Sequence, residues 1–162
     1  DYVDLDSLDN FKNAVDDNFE IRIEYEPNVQ STTRDWFFGY RNPNIQGTRF
    51  WNFLGYRDGM FEAYFQAAGG LQYANTGTSG EFGANQIYDL RIVMTNGNEL
   101  KIFVDGIDKT NTLSDDQLSF NNFTNTETYY LGGYHDYESG GTEYSNSQIF
   151  NLKRFIFWSI ML

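Results

Sequence analysis

The chain has 162 residues and a formal net charge of −12, with 11 Lys and Arg and no cysteine. A surface this acidic, without a basic run, argues against binding to a nucleic-acid backbone or to an anionic membrane. The lack of cysteine excludes disulfides and thiolate metal sites, and no apolar run is long enough for membrane insertion.

The composition is typical of a single all-β domain covering residues 1–162. Aromatic residues make up 19% of the chain, only two prolines occur, and Gly, Asn, Asp, Ser and Thr recur as turn formers. Aromatic side chains favour strands. A surplus of rings also leaves some available for contact with a ligand.

Two-residue periodicity predicts several short strands in the first half of the chain. The clearest is Phe19–Glu26, in which apolar and charged side chains alternate. Asn42-Pro43-Asn44 predicts a turn. The other strands predicted here are Asp1–Leu8 at a sheet edge, Asp35–Tyr40, Arg49–Gly55 and Met60–Gln66.

The stretch 87–110 predicts a hairpin at the centre of the fold. Asn96-Gly97-Asn98 lies between two alternating segments, Tyr88–Met94 and Leu100–Val104. A three-residue loop keeps all the apolar side chains on one side, because it pairs Met94 with Leu100, Ile92 with Ile102 and Leu90 with Val104. Asp105-Gly106 then predicts a second turn.

The remaining segments complete the predicted topology. The Gly-, Ser- and Thr-rich residues 67–85 predict a long connection, and Leu113–Thr128 predicts a surface loop with a helical turn near Ser114–Gln117. Strands are expected at Tyr129–Gly133 and Gln148–Trp158. Many short strands separated by turns indicate two antiparallel sheets packed face to face, with the first and last strands side by side.

Three segments carry a family resemblance. The central hairpin, with Arg91-Ile92-Val93-Met94 before the turn and Leu100 to Gly106 after it, resembles that of the concanavalin A-like lectin/glucanase superfamily, laminin-G-like (pentraxin-like) branch. Asp1–Leu5 followed by Asn18–Tyr25 resembles the opening strands of that family, and Gln148–Phe157 resembles its closing strand. The resemblance implies a jelly-roll sandwich over the whole chain, and it specifies a fold better than an activity.

Aromatic residues next to planar polar groups indicate a carbohydrate-binding surface. Sugar recognition uses flat rings against the C–H faces of pyranoses, and carboxylate or amide groups for the hydroxyls. Two places fit this requirement: a loop in which tyrosines alternate with acidic residues, and the concave face of a sheet. The candidate ligand-binding residues are Tyr134, Asp136, Tyr137 and Tyr144 in the loop, and Trp51 and Tyr64 on the sheet. The alternative for the tyrosines is packing against the core.

Glu20-Ile21-Arg22-Ile23-Glu24 is the one segment that resembles a catalytic motif, the Glu-x-Asp-x-Glu strand of laminarinase-like glycoside hydrolases. Such an enzyme needs two carboxylates on one strand face, one of them with a raised pKa. Arg22 stands in place of the central Asp, and a cation there lowers the pKa of neighbouring carboxyls. We therefore expect a solvated strand face with cross-strand ion pairs.

The acidity of the chain gives solubility, and it also permits calcium, which binds clustered carboxylate and carbonyl oxygens. The candidate ligands are Asp136 with Glu138 and the pairs Asp16-Asp17 and Asp115-Asp116. None of them has the regular spacing of a dedicated calcium loop, so no cofactor is required and calcium remains an option.

The sequence predicts a non-catalytic, lectin-like domain that binds carbohydrate as part of a larger surface, secreted or phage-fibre protein. Its expected location is extracellular, on a cell surface or a virion surface. Two alternatives remain open: a structural or adhesive domain that acts through protein contacts, as a homo-oligomer or larger assembly, and a glycoside hydrolase that uses Glu20 and Glu24.

Overall fold

The computed structural model describes residues 3–4, 18–27, 35–45, 48–67, 70–116, 130–131 and 152–159, with side chains for 18–27, 54–66 and 70–116. The strands in these ranges are Val3–Asp4 (β1), Phe19–Tyr25 (β2), Asp35–Ile45 (β3), Thr48–Arg57 (β4), Met60–Ala67 (β5), Gly70–Asn75 (β6), Tyr88–Thr95 (β7), Glu99–Val104 (β8), Ile107–Asp108 (β9), Asn111–Asp115 (β10), Tyr130–Leu131 (β11) and Leu152–Ser159 (β12).

The strands form two antiparallel sheets. One has seven strands in the order β1-β11-β3-β4-β5-β6-β10, and the other has five in the order β12-β2-β7-β8-β9. The all-β, two-sheet sandwich expected from the sequence is therefore confirmed. Within the ranges given above, no helix is long and apolar enough to cross a membrane.

The hydrophobic core lies between the two sheets. The inward residues of β2 are 0–1% exposed, as the alternation of apolar side chains predicted. The facing strands of the seven-stranded sheet contribute Leu54, Tyr56, Phe61, Ala63, Phe65 and Ala74. Because successive side chains of a strand point to opposite faces, the alternate residues of the same strands form the two outer surfaces of the sandwich.

The central hairpin has the predicted register. Met94 pairs with Leu100, Ile92 with Ile102, and Leu90 with Val104. Asn96 and Gly97 both have positive φ, at 51° and 64°. The three-residue loop thus places every apolar side chain of β7 and β8 on the core side.

Two tighter turns connect other neighbouring strands. Asp58-Gly59 joins β4 to β5, and Asp105-Gly106 joins β8 to β9. All four residues have positive φ, between 51° and 79°. This is the backbone conformation of a two-residue type I′ hairpin, whose twist matches that of the strands it joins.

Two strands occur where the sequence predicted connections. β6 lies inside the predicted long connection, and β10 includes Ser114 and Asp115, where a helical turn was expected. The alternation in β6 was obscured because the polar Gln72 occupies an inward position and is fully buried. β10 is an edge strand with mostly exposed side chains, so it has no apolar period to detect.

The expected pairing of the first and last strands was also wrong. β1 pairs with β11 at one edge of the seven-stranded sheet, whereas β12 pairs with β2 in the other sheet. The first and last strands are thus not neighbours.

The predicted turn Asn42-Pro43-Asn44 lies within β3, where the pairing with β4 shifts register between Asn42 and Ile45. Such an irregularity accommodates a proline that cannot donate to the ladder.

The connection between β6 and β7 covers one end of the core. Phe82 is 6% exposed, and its ring lies 5.2 Å from that of Phe61 and 5.3 Å from that of Tyr88. The Tyr56 hydroxyl donates a hydrogen bond to the Phe82 carbonyl at 2.6 Å. These contacts hold the connection against the sandwich and close the core at that end.

Candidate functional site

The outer surface of the seven-stranded sheet carries a group of polar and aromatic side chains, which we call the tyrosine face. The inward positions of β5 are occupied by buried Phe61, Ala63 and Phe65, so the residues between them face outward. The pairing of β5 with β4 and β6 then assembles the face, whose residues are Arg57, Glu62, Tyr64, Gln66 and Tyr73.

Glu62 is buried even though it occupies an outward position. Its side chain is 0% exposed, and its Oε1 accepts hydrogen bonds from Arg57 Nη2 at 3.1 Å and from the Tyr73 hydroxyl at 3.0 Å. A buried carboxylate is stable only when donors compensate its lost hydration. Glu62 therefore fixes the positions of a guanidinium and a phenol on the surface above it.

The two tyrosines of this face form a ring pair. The centroids of Tyr64 and Tyr73 are 5.5 Å apart with an interplanar angle of 53°, and both residues are half-buried. The Tyr64 hydroxyl donates to Gln66 Oε1 at 3.4 Å. The pair thus presents aromatic surface beside hydroxyl and amide groups, the combination that sugar recognition requires.

Arg57 provides the positive charge of the tyrosine face. Its side chain is 33% exposed, and its Nε is buried without a hydrogen-bond partner in the described part of the chain. A guanidinium has five N–H donors. The bond to Glu62 uses one of them, which leaves donor capacity for a hydroxyl or a carboxylate at the surface.

The outer surface of the five-stranded sheet, which we call the arginine face, is different. Glu20 accepts hydrogen bonds from Arg22 Nε at 2.7 Å and Arg91 Nε at 2.9 Å. Arg91 also lies over the Phe103 ring, 4.9 Å from its centroid. The Glu20–Arg91 pair is a cross-strand ion pair of the kind expected on this face, while the Glu20–Arg22 pair lies within β2, and Glu20 is buried at 9% exposure rather than solvated.

The ionisation of Glu20 bears on the glycosidase alternative. Burial by itself raises the pKa of Glu20, but the hydrogen bonds from Arg22 and Arg91 outweigh it, and the pKa lies below its ordinary value. A catalytic acid needs the opposite shift, since it must hold a proton near neutral pH. The environment of Glu20 thus favours a structural ion pair over proton donation.

Of the predicted ligand-binding residues, the structure describes the side chain of Tyr64 alone, and it places Tyr64 on an outer sheet face. Trp51 belongs to β4, where its backbone pairs with Arg41 and Gln66. The other predicted residues lie outside the described ranges: Tyr134, Asp136, Tyr137, Glu138 and Tyr144.

Three residues of the tyrosine face were missed at the sequence level. They are Arg57, Glu62 and Tyr73, of which Tyr73 falls in the stretch 67–85 that was predicted to be a connection. The pairing of β6 with β5, which places Tyr73 opposite Tyr64, brings them together. The sequence signal for Tyr73 is a two-residue alternation, with Leu71 and Tyr73 on one face of the strand and Gln72 and Ala74 on the other. To recognise it, one would have had to assign the polar Gln72 to the buried face.

No group of three or more His, Cys, Asp or Glu side chains in the described ranges is arranged to hold a metal ion. Asp116, one of the calcium candidates, accepts a hydrogen bond from the Leu71 N–H at 3.1 Å through Oδ2. Asp116 thereby ties the end of β10 to β6.

Comparisons with known proteins found similarity in structure. No protein-family profile matches the sequence, and no curated protein matches it. The NanB sialidase from Streptococcus pneumoniae, in complex with 2-[(3-chlorobenzyl)ammonio]ethanesulfonate, superimposes with a TM-score of 0.73 at 14% identity, over 100% of this chain and 25% of the sialidase. The CBM40 of the Ruminococcus gnavus IT-sialidase, bound to α2,6-sialyllactose, gives 0.69 at 15% identity, over 99% and 87%.

Domains LG4-5 of the mouse laminin α1 chain are similar as well, with a TM-score of 0.55 at 14% identity over 86% of this chain and 34% of that one. At these identities the likeness concerns the fold. The concanavalin A-like, laminin-G-like jelly roll expected from the sequence is confirmed. The chain spans about a quarter of the NanB sialidase that it matches.

Proposed function

We propose that this chain is a non-catalytic carbohydrate-binding domain and that it binds glycans on the tyrosine face. The observation that carries the proposal is the Tyr64–Tyr73 ring pair on an outer sheet surface, held beside Arg57 by the buried carboxylate of Glu62. The fold supports it, because structures of similar fold include a CBM40 bound to sialyllactose.

In the proposed mechanism the rings and the polar groups have separate roles. The face of Tyr64 contacts the C–H surface of a pyranose, while Arg57 and Gln66 hydrogen-bond its hydroxyl or carboxylate oxygens. Glu62 touches no ligand in this scheme and acts as a positioning residue. A shallow single site of this kind gives weak affinity, which several linked copies would raise.

Sialyllactose is the first ligand to test, with lactose as its neutral counterpart. Arg57 is the cation on the tyrosine face that would meet the sialic acid carboxylate, by a charge-assisted hydrogen bond. If that contact operates, sialyllactose binds more tightly than lactose and the difference shrinks in Arg57→Gln. Equal affinities for the two sugars would mean that a different, neutral glycan is the ligand.

A glycan array tests the proposal at its broadest, using the wild-type chain and two matched variants. Tyr64→Ala removes an aromatic ring from the tyrosine face, and Phe103→Ala removes one from the arginine face. We expect Tyr64→Ala to abolish binding to the recognised glycan and Phe103→Ala to retain it. Loss in both variants or in neither would overturn the assignment of the site to the tyrosine face.

The proposal also covers the context of the domain. A larger extracellular protein, displayed on a cell surface or a virion, is the setting that a weak glycan-binding domain requires, since such a protein supplies the additional copies. The proposal requires no calcium. Asp136 and Glu138 are the residues that would hold one, and repeating the array with a chelator shows whether binding depends on it.

The structural or adhesive alternative has its own outcome in the same experiment. It predicts that no glycan on the array is bound and that the protein forms a stable oligomer in solution, with an interface of about 1,000 Å² or more. A monomer that binds a glycan excludes it. The glycosidase alternative predicts polysaccharide cleavage that is lost in Glu20→Gln, and the lowered pKa of Glu20 argues against it.

A further inference from the structure

A second candidate site lies away from both outer faces, in a cavity of about 530 Å³. Its walls come from β6 and β10 of the seven-stranded sheet and from β8 and β9 of the other sheet, at the edge where the sandwich is open. We call it the edge cavity. Its volume is in the range of small-molecule sites in proteins.

The lining of the edge cavity is rich in hydrogen-bond acceptors. It includes the carboxylates of Glu99, Asp108 and Asp115 and the hydroxyls of Thr110 and Thr112, with Leu100 as a buried apolar patch. Carboxylates accept hydrogen bonds from sugar hydroxyls, and an apolar patch suits the C–H face of a sugar ring.

Asp108 is held rigidly in this lining. It accepts hydrogen bonds from the Thr110 hydroxyl at 2.6 Å and the Thr110 N–H at 3.0 Å. The same hydroxyl accepts a bond from the Ile102 N–H at 2.9 Å, which anchors the pair to β8. An acceptor fixed in this way loses little conformational entropy when a ligand binds.

Gln72 supplies the observation that points to a ligand. Its side chain lines the cavity and is fully buried, and its Nε2 donates to the Asp116 carbonyl at 2.8 Å. Its Oε1 has no hydrogen-bond partner in the described part of the chain. A buried acceptor without a partner is unfavourable, so a hydroxyl entering the cavity gains a bond that the protein does not make itself.

The charges of the cavity limit the kind of ligand. Three carboxylates are opposed by one ammonium group, that of Lys101, which is already bonded to Glu99 at 3.1 Å. An anionic sugar would therefore be repelled. Lining groups that accept many hydrogen bonds, together with an excess of negative charge, favour a ligand that offers hydroxyl donors.

We propose that the edge cavity binds a neutral hexose unit through Gln72, Asp108 and Asp115. The site is separate from the tyrosine face and does not depend on that proposal. Together the two sites would let one domain contact one glycan, or two glycan chains, at two points. The arginine of the tyrosine face would favour an anionic sugar, whereas the carboxylates of the edge cavity would disfavour one.

Amide-resolved NMR with methyl glucoside and methyl galactoside tests this proposal. We expect saturable shifts of the amide signals in 98–101 and 108–116, with a Kd in the roughly millimolar range of a shallow single site. The Gln72 side-chain amide should shift as well. Tyr64→Ala should leave these shifts unchanged, which separates failure of the edge cavity from failure of the tyrosine face.

Two cavity variants and one control sharpen the assignment. Gln72→Leu and Asp115→Ala should each weaken binding about tenfold, the effect of losing one hydrogen bond to a ligand. Asp89→Ala, which removes an exposed strand carboxylate from the arginine face, should leave the affinity unchanged. If Gln72→Leu unfolds the chain, Asp115→Asn serves instead and should weaken hexose binding by less than Asp115→Ala.

Three outcomes would overturn the proposal. The first is the absence of shifts at the cavity amides with either glycoside. The second is equal binding by the cavity variants and the wild type. The third is a preference for spermidine or for the methyl glycoside of sialic acid over the neutral hexosides, which would assign the cavity to a cation or to an anion.

Discussion

The two outer faces of this sandwich each pair a glutamate with arginine, but the pairs differ in how far their side chains are exposed. On the arginine face, Glu20 is bonded to Arg22 and Arg91, whose side chains are 48% and 41% exposed. On the tyrosine face, Glu62 is fully buried and is bonded to Arg57 and the Tyr73 hydroxyl. Both carboxylates are thus largely covered, but the arginines bonded to Glu20 are more exposed than Arg57, which is 33% exposed.

The difference is one of degree, because Glu20 is 9% exposed and Glu62 is 1% exposed, while the cations bound to Glu20 are the more exposed ones. Water and salt screen an ion pair more strongly when its cation is exposed, as Arg22 and Arg91 are. A buried carboxylate that loses its donors is costly, so its neighbours are held in defined positions. Glu62 is the more deeply buried of the two carboxylates, so we expect it to hold its partners more strictly, which favours the tyrosine face for ligand recognition.

The largest expected effect comes from breaking the buried pair. Glu62→Ala removes the hydrogen bonds from Arg57 and Tyr73 and leaves Arg57 without this carboxylate, so we expect a loss of about 2–3 kcal/mol in the free energy of unfolding. Urea denaturation measures it. Glu99→Ala, which breaks the exposed pair with Lys101, is the matched control and should cost about 0.5 kcal/mol or less. Similar losses in the two variants would contradict the comparison.

The next effect concerns ligand affinity on the two faces. Tyr64→Ala should reduce glycan affinity about tenfold or more, the value of one aromatic contact. Phe103→Ala should change it by less than about twofold, because Phe103 lies on the opposite surface of the sandwich. Calorimetric titration of both variants with the glycan identified on the array provides the numbers, and a larger loss for Phe103→Ala would transfer the site to the arginine face.

The pH dependence of stability distinguishes the arginine face. The pKa of folded Glu20 lies below its ordinary 4.5, so folding favours the charged form. The stabilisation that the charged Glu20 gives the folded state is fully present above pH 4.5. It is lost as the pH falls through the pKa of Glu20 in the folded state. We expect about 1 kcal/mol or less, since both arginines are nearly half exposed. In Glu20→Gln this loss of stability at acid pH should be absent. If the variant and the wild type lose stability with pH in the same way, the prediction is wrong.

The smallest effect is that of the Arg91–Phe103 contact. Replacing Phe103 by Leu keeps an apolar side chain but removes the ring, and an exposed cation–π contact is worth about 0.5–1 kcal/mol. Double-mutant denaturation with Arg91→Gln isolates the coupling between the two residues. The same double-mutant measurement on Arg57 and Glu62 should give a larger coupling free energy. A larger coupling between Arg91 and Phe103 would mean that the arginine face has the stronger side-chain contacts.

The fold was predictable where one strand face is uniformly apolar. In β2, β7 and β8, buried apolar side chains alternate without interruption with more exposed ones. The register of the central hairpin followed from keeping the apolar side chains, such as Met94 and Leu100, on one side of the sheet. β6 was not predictable because Gln72 interrupts the apolar face, and β10 because an exposed edge strand needs no apolar face. The pairing of β1 with β11 depends on contacts distant in sequence, which no local pattern encodes.

The candidate site was predictable only in part. The outward position of Tyr64 follows from the alternation in β5, and the structure agrees. The burial of Glu62 could not be inferred, because a glutamate at an outward strand position is usually solvated. It results from the pairing of β5 with β4 and β6, which places a guanidinium and a phenol over the carboxylate. That combination is a property of the assembled sheet.

The most direct test of the central claim is glycan binding by the Tyr64→Ala variant, measured beside the wild type on one array. If the tyrosine face is the site, the wild type binds at least one glycan that Tyr64→Ala no longer binds, while the variant keeps the far-ultraviolet circular dichroism of the wild type. A folded Tyr64→Ala variant that binds every glycan as the wild type does, or a wild type that binds none, would contradict the claim.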